Sequence, residues 1–189
     1  QSSKLFIAVR NNIDENFSSY KEVKLINAPS GSLFDASFTP DMEELLMYNN
    51  DKKERIVKFT KTGENEYTFS NEVDVLFNEI PTGGQLSRDG LRYYVPFKRT
   101  VNKDSDYRVI YILSRKDIHG NFEKIEKLKS TKEINITAYQ PSVNADETQL
   151  IFVTGSGNLW DNNELGQVEL IEEKEVLAVK QVVEPVIIV

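Results

Sequence analysis

The side chains that could carry out catalysis are few in this sequence. His119 is the single histidine, and there is no cysteine. His119 lies in Asp117-Ile118-His119-Gly120-Asn121, a setting typical of a hairpin tip. A Ser-His-Asp triad and a histidine-based metal site both need partners that are missing, and thiolate chemistry is excluded. Only Ser-Lys or paired-carboxylate catalysis remains, so the sequence predicts a protein that is not an enzyme.

Aromatic side chains are the better candidates for binding. Their rings could grip a peptide or stack on a sugar. Trp160, in a loop rich in Asn and Gly, is the best-placed exposed anchor. The alternative is that most rings fill the core, which we favour for Tyr94 and Tyr111. The predicted binding residues, near the ends of predicted strands, are Trp160, Tyr93, Phe97, Tyr107 and Tyr139.

Charge and composition exclude several partners and cofactors. The net charge of −7 and the pI of about 4.9 argue against nucleic-acid binding. Residues 49–51 and 161–164 offer oxygen ligands that Ca²⁺ prefers, but neither matches a known calcium loop. Turns rich in Asn and Asp explain them better, so no cofactor is predicted. The longest apolar runs, such as residues 186–189, are too short to span a membrane.

The elements that position these residues are predicted to be short β-strands. Helical periodicity is nearly absent, and its best candidate, residues 122–132, also fits an outer strand, which we favour. Short runs of β-branched and aromatic residues alternate with turn residues, a pattern typical of a sandwich, a barrel or a propeller. These runs are residues 4–9, 22–26, 45–48, 55–60, 66–70, 91–97, 108–114, 149–154 and 167–171.

An internal repeat decides among those folds. Residues 37–41 (SFTPD), 85–89 (QLSRD) and 142–146 (SVNAD) align, and an apolar run begins four residues after each aspartate. The aspartates Asp41, Asp89 and Asp146 are 48 and 57 residues apart, close to the length of a propeller blade. Each aspartate can bond nearby backbone N–H groups and close a tight turn. Gly90, after Asp89, suits a position with positive φ.

This unit resembles the TolB-like propeller repeat, a relative of the WD-type repeat. The closest copies are residues 36–48 (ASFTPDMEELLMY) and 140–153 (QPSVNADETQLIFV), and residues 85–97 are a weaker copy. The sequence departs from the family pattern at Glu43 and Thr148, which replace basic turn residues. It departs also at Pro96, which we expect at a strand end or a bulge.

The resemblance implies an all-β propeller of antiparallel four-stranded blades. We expect about four blades: three fuller units, and a split or partial blade whose outer half is the first two strands. The chain would then be a small or incomplete ring, or part of a larger propeller. Residues 1–171 are predicted to form the repeat domain and residues 172–189 a linker or terminal edge strand.

The ends of the chain point to export. Gln1 opens on polar residues, as after removal of a signal peptide or trimming. Residues 172–189 look like the segment before the sorting domain of proteins secreted by the type IX system of Bacteroidetes, although the Tyr-Pro-Asn-Pro motif is missing. A plain edge strand is the alternative. The expected location is the periplasm or cell surface of a Gram-negative bacterium.

The predicted function is therefore a noncatalytic binding or scaffold module. It would engage protein partners of the cell envelope or of secretion. One alternative is a surface protein that binds glycans through Trp160 and tyrosines. Another is the propeller fragment of a larger peptidase, although the chain contains no Gly-x-Ser-x-Gly motif.

Overall fold

The protein is all β in its computed structural model, which describes residues 4–10, 12–17, 19–75, 80–102, 105–128, 137–155 and 164–169. The predicted fold class is confirmed. Of the segment 122–132, residues 122–128 are described, and they contain a strand rather than a helix. The strands are β1 (Leu5–Ala8), β2 (Tyr20–Ile26), β3 (Ser32–Phe38), β4 (Glu44–Asn50), β5 (Arg55–Gly63), β6 (Glu66–Glu72), β7 (Ile80–Pro81), β8 (Gln85–Leu86), β9 (Arg92–Asn102), β10 (Ser105–Ser114), β11 (Lys124–Lys127), β12 (Thr137–Val143), β13 (Gln149–Gly155) and β14 (Glu164–Glu169).

The strands form three sheets that repeat one plan. Antiparallel neighbours step outward from an inner strand: β3 to β6 in blade one, β7 and β8 to β11 in blade two, and β12 to β14 in blade three. This is the strand order of propeller blades. No helix that could cross a membrane occurs in these described parts of the chain.

A hydrogen-bonded turn joins the first two strands of every blade. In blade one, Asp41 Oδ1 accepts the Thr39 hydroxyl at 2.7 Å and the Glu43 N–H at 3.1 Å. The Glu44 N–H donates to Thr39 Oγ1 at 2.9 Å, so the two side chains together close the turn. Asp89 with Ser87, and Asp146 with Asn144 and Thr148, close the turns of blades two and three through equivalent backbone bonds.

Neighbouring blades bury alternate faces of their strands against each other. Leu46 and Ile56 of blade one pack against a set of blade-two side chains that includes Val95 and Val109. Tyr94 and Ile110, on the opposite face of blade two, pack against Leu150 and Phe152 of blade three. Blade two is therefore apolar on both faces, as strands covered on both sides are.

The two N-terminal strands do not form the outer half of a split blade. Instead β2 pairs in parallel with β6, with Lys24 opposite Glu66, and extends blade one to six strands. Val23 of β2 packs on the blade-one face that carries Leu45, Met47 and Phe59, the face turned away from blade two. The hairpin thereby covers apolar surface that water would otherwise reach.

Pro96 lies inside β9, not at its end. Its carbonyl oxygen faces the inner strand and accepts the Thr82 N–H at 2.8 Å. The amide and carbonyl of one strand residue point to the same side, so the missing Pro96 N–H falls where β7 and β8 are interrupted. The proline removes no bond of the ladder there. Residues 172–189 lie outside the described residues, and the boundary at 171 stays a prediction.

Candidate functional site

The inner strands of the three blades are irregular at the same repeat position. The register shifts between Phe34 and Ser37 in β3 and between Tyr139 and Ser142 in β12, and blade two has a break between β7 and β8. Asp35 and Gln140, at equivalent positions, have φ of 52° and 45°. Positive φ in residues other than glycine is costly and is concentrated at functional sites.

These irregularities line one open cavity of about 420 Å³, here called the inner-strand cavity. All three blades contribute to it. Arg88 and Gln140 are exposed at its edge, so solvent reaches the cavity. The lining side chains used below are Asp35, Ser37, Phe38, Arg88, Gln140 and Pro141.

Asp35 is the acidic group of the inner-strand cavity. Its carboxyl is partly buried and accepts a hydrogen bond from the Gln140 side chain, with the Arg108 charge nearby. Burial raises the pKa of Asp35, and the Gln140 bond and Arg108 only partly oppose that rise. Gly83 lies against this carboxyl, and a Cβ at position 83 would overlap it. The Gly83 position therefore gives the Asp35 side chain its space.

Tyr93 lies behind the neighbouring residue, Gly84. Its ring carbon Cζ is 3.1 Å from the position of a Cβ on Gly84, and the side chain is completely buried. The Gly84 amide faces the hydroxyl, yet no described residue gives that hydroxyl a well-formed hydrogen bond. Burial, and the Asp35 charge after it, raise the pKa of Tyr93. The phenol therefore stays neutral and supports the floor of the cavity.

Side chains of the inner strands also tie consecutive blades together. Ser37 Oγ of blade one accepts the Leu86 N–H of blade two at 2.8 Å. The equivalent residue in blade two, Gln85, accepts the Val143 N–H of blade three through Oε1 at 3.2 Å. These bonds fix the spacing of the strands that line the cavity.

Two of the five predicted aromatic binding residues lie in the core and not on an open surface. Tyr93 and Phe97 lie within β9 and are fully buried, Tyr93 stacked on Phe122 and Phe97 against Tyr111. A partner cannot reach these two rings without displacing the core, and binding by them stays a prediction. Tyr107 and Tyr139 belong to β10 and β12 by their backbone alone. Trp160 lies outside the described residues.

Exposed large apolar side chains are instead concentrated in the N-terminal hairpin. Phe6 and Tyr20 make an edge-to-face contact with centroids 5.3 Å apart, and the Arg10 guanidinium lies 5.0 Å from the centre of the Phe17 ring. We call this set the N-terminal apolar surface. It consists of Phe6, Val9, Ile13, Phe17 and Tyr20, which are between 46% and 78% exposed.

Sequence reasoning missed the N-terminal apolar surface, although a signal was present. Ile13 and Phe17 lie in the polar loop 9–19, where neither strand nor helix periodicity gives them a place in a core. Large apolar residues without such a periodicity are candidates for an exposed contact. Asp35 and Gln140 carry no comparable signal, because the equivalent residue of blade two is Gly83.

His119 occupies the predicted loop but contacts another blade. Its Nε2 lies 3.0 Å from Asp41 Oδ2, and its Nδ1 lies 3.5 Å from Glu44 Oε1. Glu44 is buried and also pairs with Lys58 at 3.0 Å and with the buried Arg115 at 3.6 Å. The histidine is therefore part of the polar contact between blades one and two.

Of the two loops rich in oxygen ligands, the described one, residues 49–51, shows no assembled metal site. Asp51 Oδ1 accepts the Lys53 N–H at 2.8 Å, and its Oδ2 pairs with Arg55 at 2.5 Å. Residues 161–163 lie outside the described residues. Within the described ranges, no three histidine or carboxylate side chains converge as metal ligands would.

Comparison with known proteins supports the propeller fold. No protein-family model and no curated protein sequence matches the chain. A solved structure of a TolB-type protein from Agrobacterium tumefaciens matches 89% of this chain and 70% of its own, at 13% identity and a TM-score of 0.50. A Bacteroides uniformis protein assigned as a 6-phosphogluconolactonase matches 86% of this chain and 46% of its own, at 12% identity and a TM-score of 0.50.

The chain therefore has a partial β-propeller fold, similar to that of TolB. It spans less than half the length of the Bacteroides uniformis structure and 39% of a gluconolactonase from Xanthomonas campestris, which matches 74% of this chain at 13% identity and a TM-score of 0.46. At such identities the similarity concerns the fold and carries no activity to this chain.

Proposed function

We propose that this chain is a noncatalytic propeller module that binds protein partners through the N-terminal apolar surface. The observation that carries the proposal is the exposure of five large apolar side chains within fifteen residues of chain. Concentrated apolar exposure of this kind marks interaction sites in soluble proteins. Tyrosine and phenylalanine are also enriched at the centres of protein interfaces.

The surroundings of this surface suit a protein partner. Charged residues of both signs, among them Lys4, Arg10 and Lys21, lie in the same stretch of chain as the apolar residues and give the surface a polar rim. Lys4 and Lys21 pair with Glu22 and Glu64, both of them solvent-exposed residues. Exposed pairs of this kind contribute little to stability. They can exchange partners when acidic side chains of another protein arrive.

The noncatalytic part of the proposal has its own support. His119, the single histidine, is held between Asp41 and Glu44, where it joins two blades. Among the side chains that line the inner-strand cavity, Ser87 has a carboxylate partner, Asp89. Both side chains are bound into the turn of blade two, where they also accept the Arg92 and Leu91 N–H groups. A serine that acts in acyl transfer or hydrolysis instead needs a base that is available to take its proton.

We place the module at the envelope of a Gram-negative bacterium, in the periplasm or at the cell surface. This part of the proposal rests on the TolB-like repeat and on residues 172–189, whose sequence resembles the segment before a type IX sorting domain. The partners would then be envelope or secretion components.

The test is affinity capture from envelope extracts with matched variants. The double variant Ile13→Ser and Phe17→Ser should lose the partners that the wild-type protein retains, because both side chains point into solvent and their loss leaves the blades intact. The control is Phe34→Ser, which removes an exposed ring from β3. Equal recovery of the same proteins by the double variant and the wild type would refute this surface as the binding site.

Purified components complete the test. Each protein that the wild type captures is expressed alone, and its affinity for the wild type and the double variant is measured by calorimetry. Truncation of a central aromatic or aliphatic contact residue costs roughly 2 kcal/mol of binding free energy. We therefore expect the double variant to bind at least about tenfold more weakly.

A further inference from the structure

We propose that the inner-strand cavity binds a neutral, hydroxyl-rich small molecule of about monosaccharide size, held by Asp35 and Gln140. This site is separate from the N-terminal apolar surface and does not rest on the function proposed for it. It also differs from the glycan contact predicted at Trp160.

The size of the cavity fits such a ligand. At about 420 Å³ it lies at the small end of the range that holds drug-sized molecules and is ample for one sugar ring. Three separate strands of the fold line it, and their spacing is fixed by the Ser37–Leu86 and Gln85–Val143 hydrogen bonds. A preformed site of this kind costs little ordering on binding.

The hydrogen-bonding groups select for hydroxyls. The Asp35 carboxylate only accepts, whereas the Gln140 amide both donates and accepts. Ser37 Oγ already accepts the Leu86 N–H and can donate its own proton. A ligand that pairs with all of these groups must donate and accept hydrogen bonds from neighbouring atoms. Vicinal hydroxyl groups do both.

The charges around the cavity favour a neutral molecule. Asp35 repels an anion. A cation meets Arg88 at the edge of the cavity and Arg108, whose charge acts on Asp35. Hydroxyl donors can satisfy the partly buried carboxylate without adding a charge, and hydrogen bonds to charged groups are stronger than neutral ones.

The irregular backbone of the inner strands places these two polar side chains at the cavity. Asp35 and Gln140 both have positive φ, although neither is a glycine. The third equivalent position, Gly83, leaves room for the Asp35 carboxyl. Nonpolar contact for the C–H faces of a sugar ring comes from Phe38 and Pro141, which also line the cavity.

The test is an NMR titration of the ¹⁵N-labelled full chain with glucose, galactose, mannose and N-acetylglucosamine. We expect saturable shifts of the Asp35, Gly83 and Gln140 amides with at least one of them. Glucuronate and glucosamine, the anionic and cationic counterparts, should bind more weakly. No saturation by any neutral sugar up to about 50 mM, or saturation with these three amides unmoved, would overturn the proposal.

Two variants assign the binding to the proposed residues. Asp35→Asn and Gln140→Asn keep a residue type that tolerates positive φ, so each should keep the wild-type spectrum away from the cavity. Each should weaken sugar binding, and Asp35→Asn by at least about tenfold. Glu126→Gln removes an exposed carboxylate of β11 and should leave binding unchanged. Wild-type affinity in Asp35→Asn would contradict the assignment.

Discussion

Two kinds of aspartate occur in the blades: Asp35 lies in an inner strand, and the others lie in the turns that follow the inner strands. Their environments shift the carboxyl pKa in opposite directions. Hydrogen bonds from Thr39 to Asp41 and from Thr148 to Asp146 lower the pKa of both turn carboxyls. At Asp89 burial opposes ionisation, but bonds from Ser87 and the Leu91 N–H outweigh it and the pKa is also lowered. Asp35, in contrast, has a raised pKa because burial outweighs its partners.

The turn aspartates should make the protein sensitive to acid. A carboxyl whose pKa is lower in the folded state stabilises the protein above its unfolded-state pKa of about 3.9, and this contribution is lost as the pH falls through the folded-state value. The triple variant Asp41→Asn, Asp89→Asn and Asp146→Asn should therefore lose less stability than the wild type between pH 6 and pH 2.5. Urea unfolding at each pH measures this.

A second triple variant serves as the control for this acid dependence. Asp14→Asn, Glu22→Gln and Glu126→Gln also remove three negative charges, from exposed positions away from the turns. Its pH dependence should follow that of the wild type. Asp35 contributes to the pH dependence of stability with the opposite sign. Because it is present in the wild type and in both triple variants, its contribution cancels in the comparison. Identical slopes for the two triple variants would show that the turn bonds are not the cause.

The turn residues could be predicted from the sequence and the cavity residues could not. A tight turn needs an aspartate and a small polar residue at fixed offsets, and a local rule of that kind survives in all three copies. The cavity depends on an irregular strand, and its equivalent residues Asp35, Gly83 and Gln140 share no side-chain chemistry. The repeat alignment puts them at one position, but only the structure shows that this position lines a cavity.

At the scale of elements, the N-terminal hairpin shows how the first blade of a repeat fold can have its open face covered. The outer faces of β1 and β2, together with the loop between them, carry the N-terminal apolar surface. The inner faces of the two strands complete the core of blade one through Leu5, Ile7, Val23 and Leu25. One hairpin thus serves both stability and, in our proposal, binding.

The buried face of this hairpin should matter for stability. Val23→Ala removes two methyl groups from a side chain that is 4% exposed, and we expect it to lower the free energy of unfolding by about 2 kcal/mol. Val9→Ala is the matched control, since Val9 is exposed and the same atoms are deleted. Thermal or urea unfolding of the two variants provides the measurement. Equal stability of both would mean that the hairpin does not seal blade one.

The placement of this hairpin illustrates what a sequence pattern cannot supply. Residues 4–9 and 22–26 show the alternation of strands, so the strands themselves were predictable. Their partner was not, because pairing with β6 joins residues more than forty positions apart and neither strand carries a mark for parallel pairing. The apolar surface left open on blade one determines where the hairpin packs. That surface exists only once the sheet has folded.

At the scale of the whole molecule, the exposure of one repeat position shows which blades are covered by a neighbour. Leu46, Tyr94 and Ile151 are equivalent residues that face the next blade along the chain. Leu46 is 0% exposed and Tyr94 is 2% exposed, because blades two and three cover them. Ile151 of blade three is 39% exposed. The described array is therefore sealed by β1 and β2 at one end and presents an apolar residue at the other.

Substitutions at this position should have graded effects. Leu46→Ala is expected to cost about 3 kcal/mol of unfolding free energy, the usual cost for a fully buried leucine. Ile151→Ala should cost about 1 kcal/mol, because part of its side chain already contacts water. Urea unfolding of the full chain tests both. A loss at Ile151 as large as that at Leu46 would mean that further chain or a partner covers blade three.

The parallel pairing of β2 with β6 has a consequence for how the chain folds during its synthesis on the ribosome. Translation proceeds from the N-terminus, so β2 is made while Glu66, the partner of Lys24, is still some forty codons away. At a synthesis rate of roughly 5–20 residues per second, several seconds pass before β6 is made. During that time the apolar face of the hairpin has no sheet to cover it. The hairpin is therefore complete before the sheet that covers its apolar face, and a chaperone that recognises exposed strands would bind it in that interval.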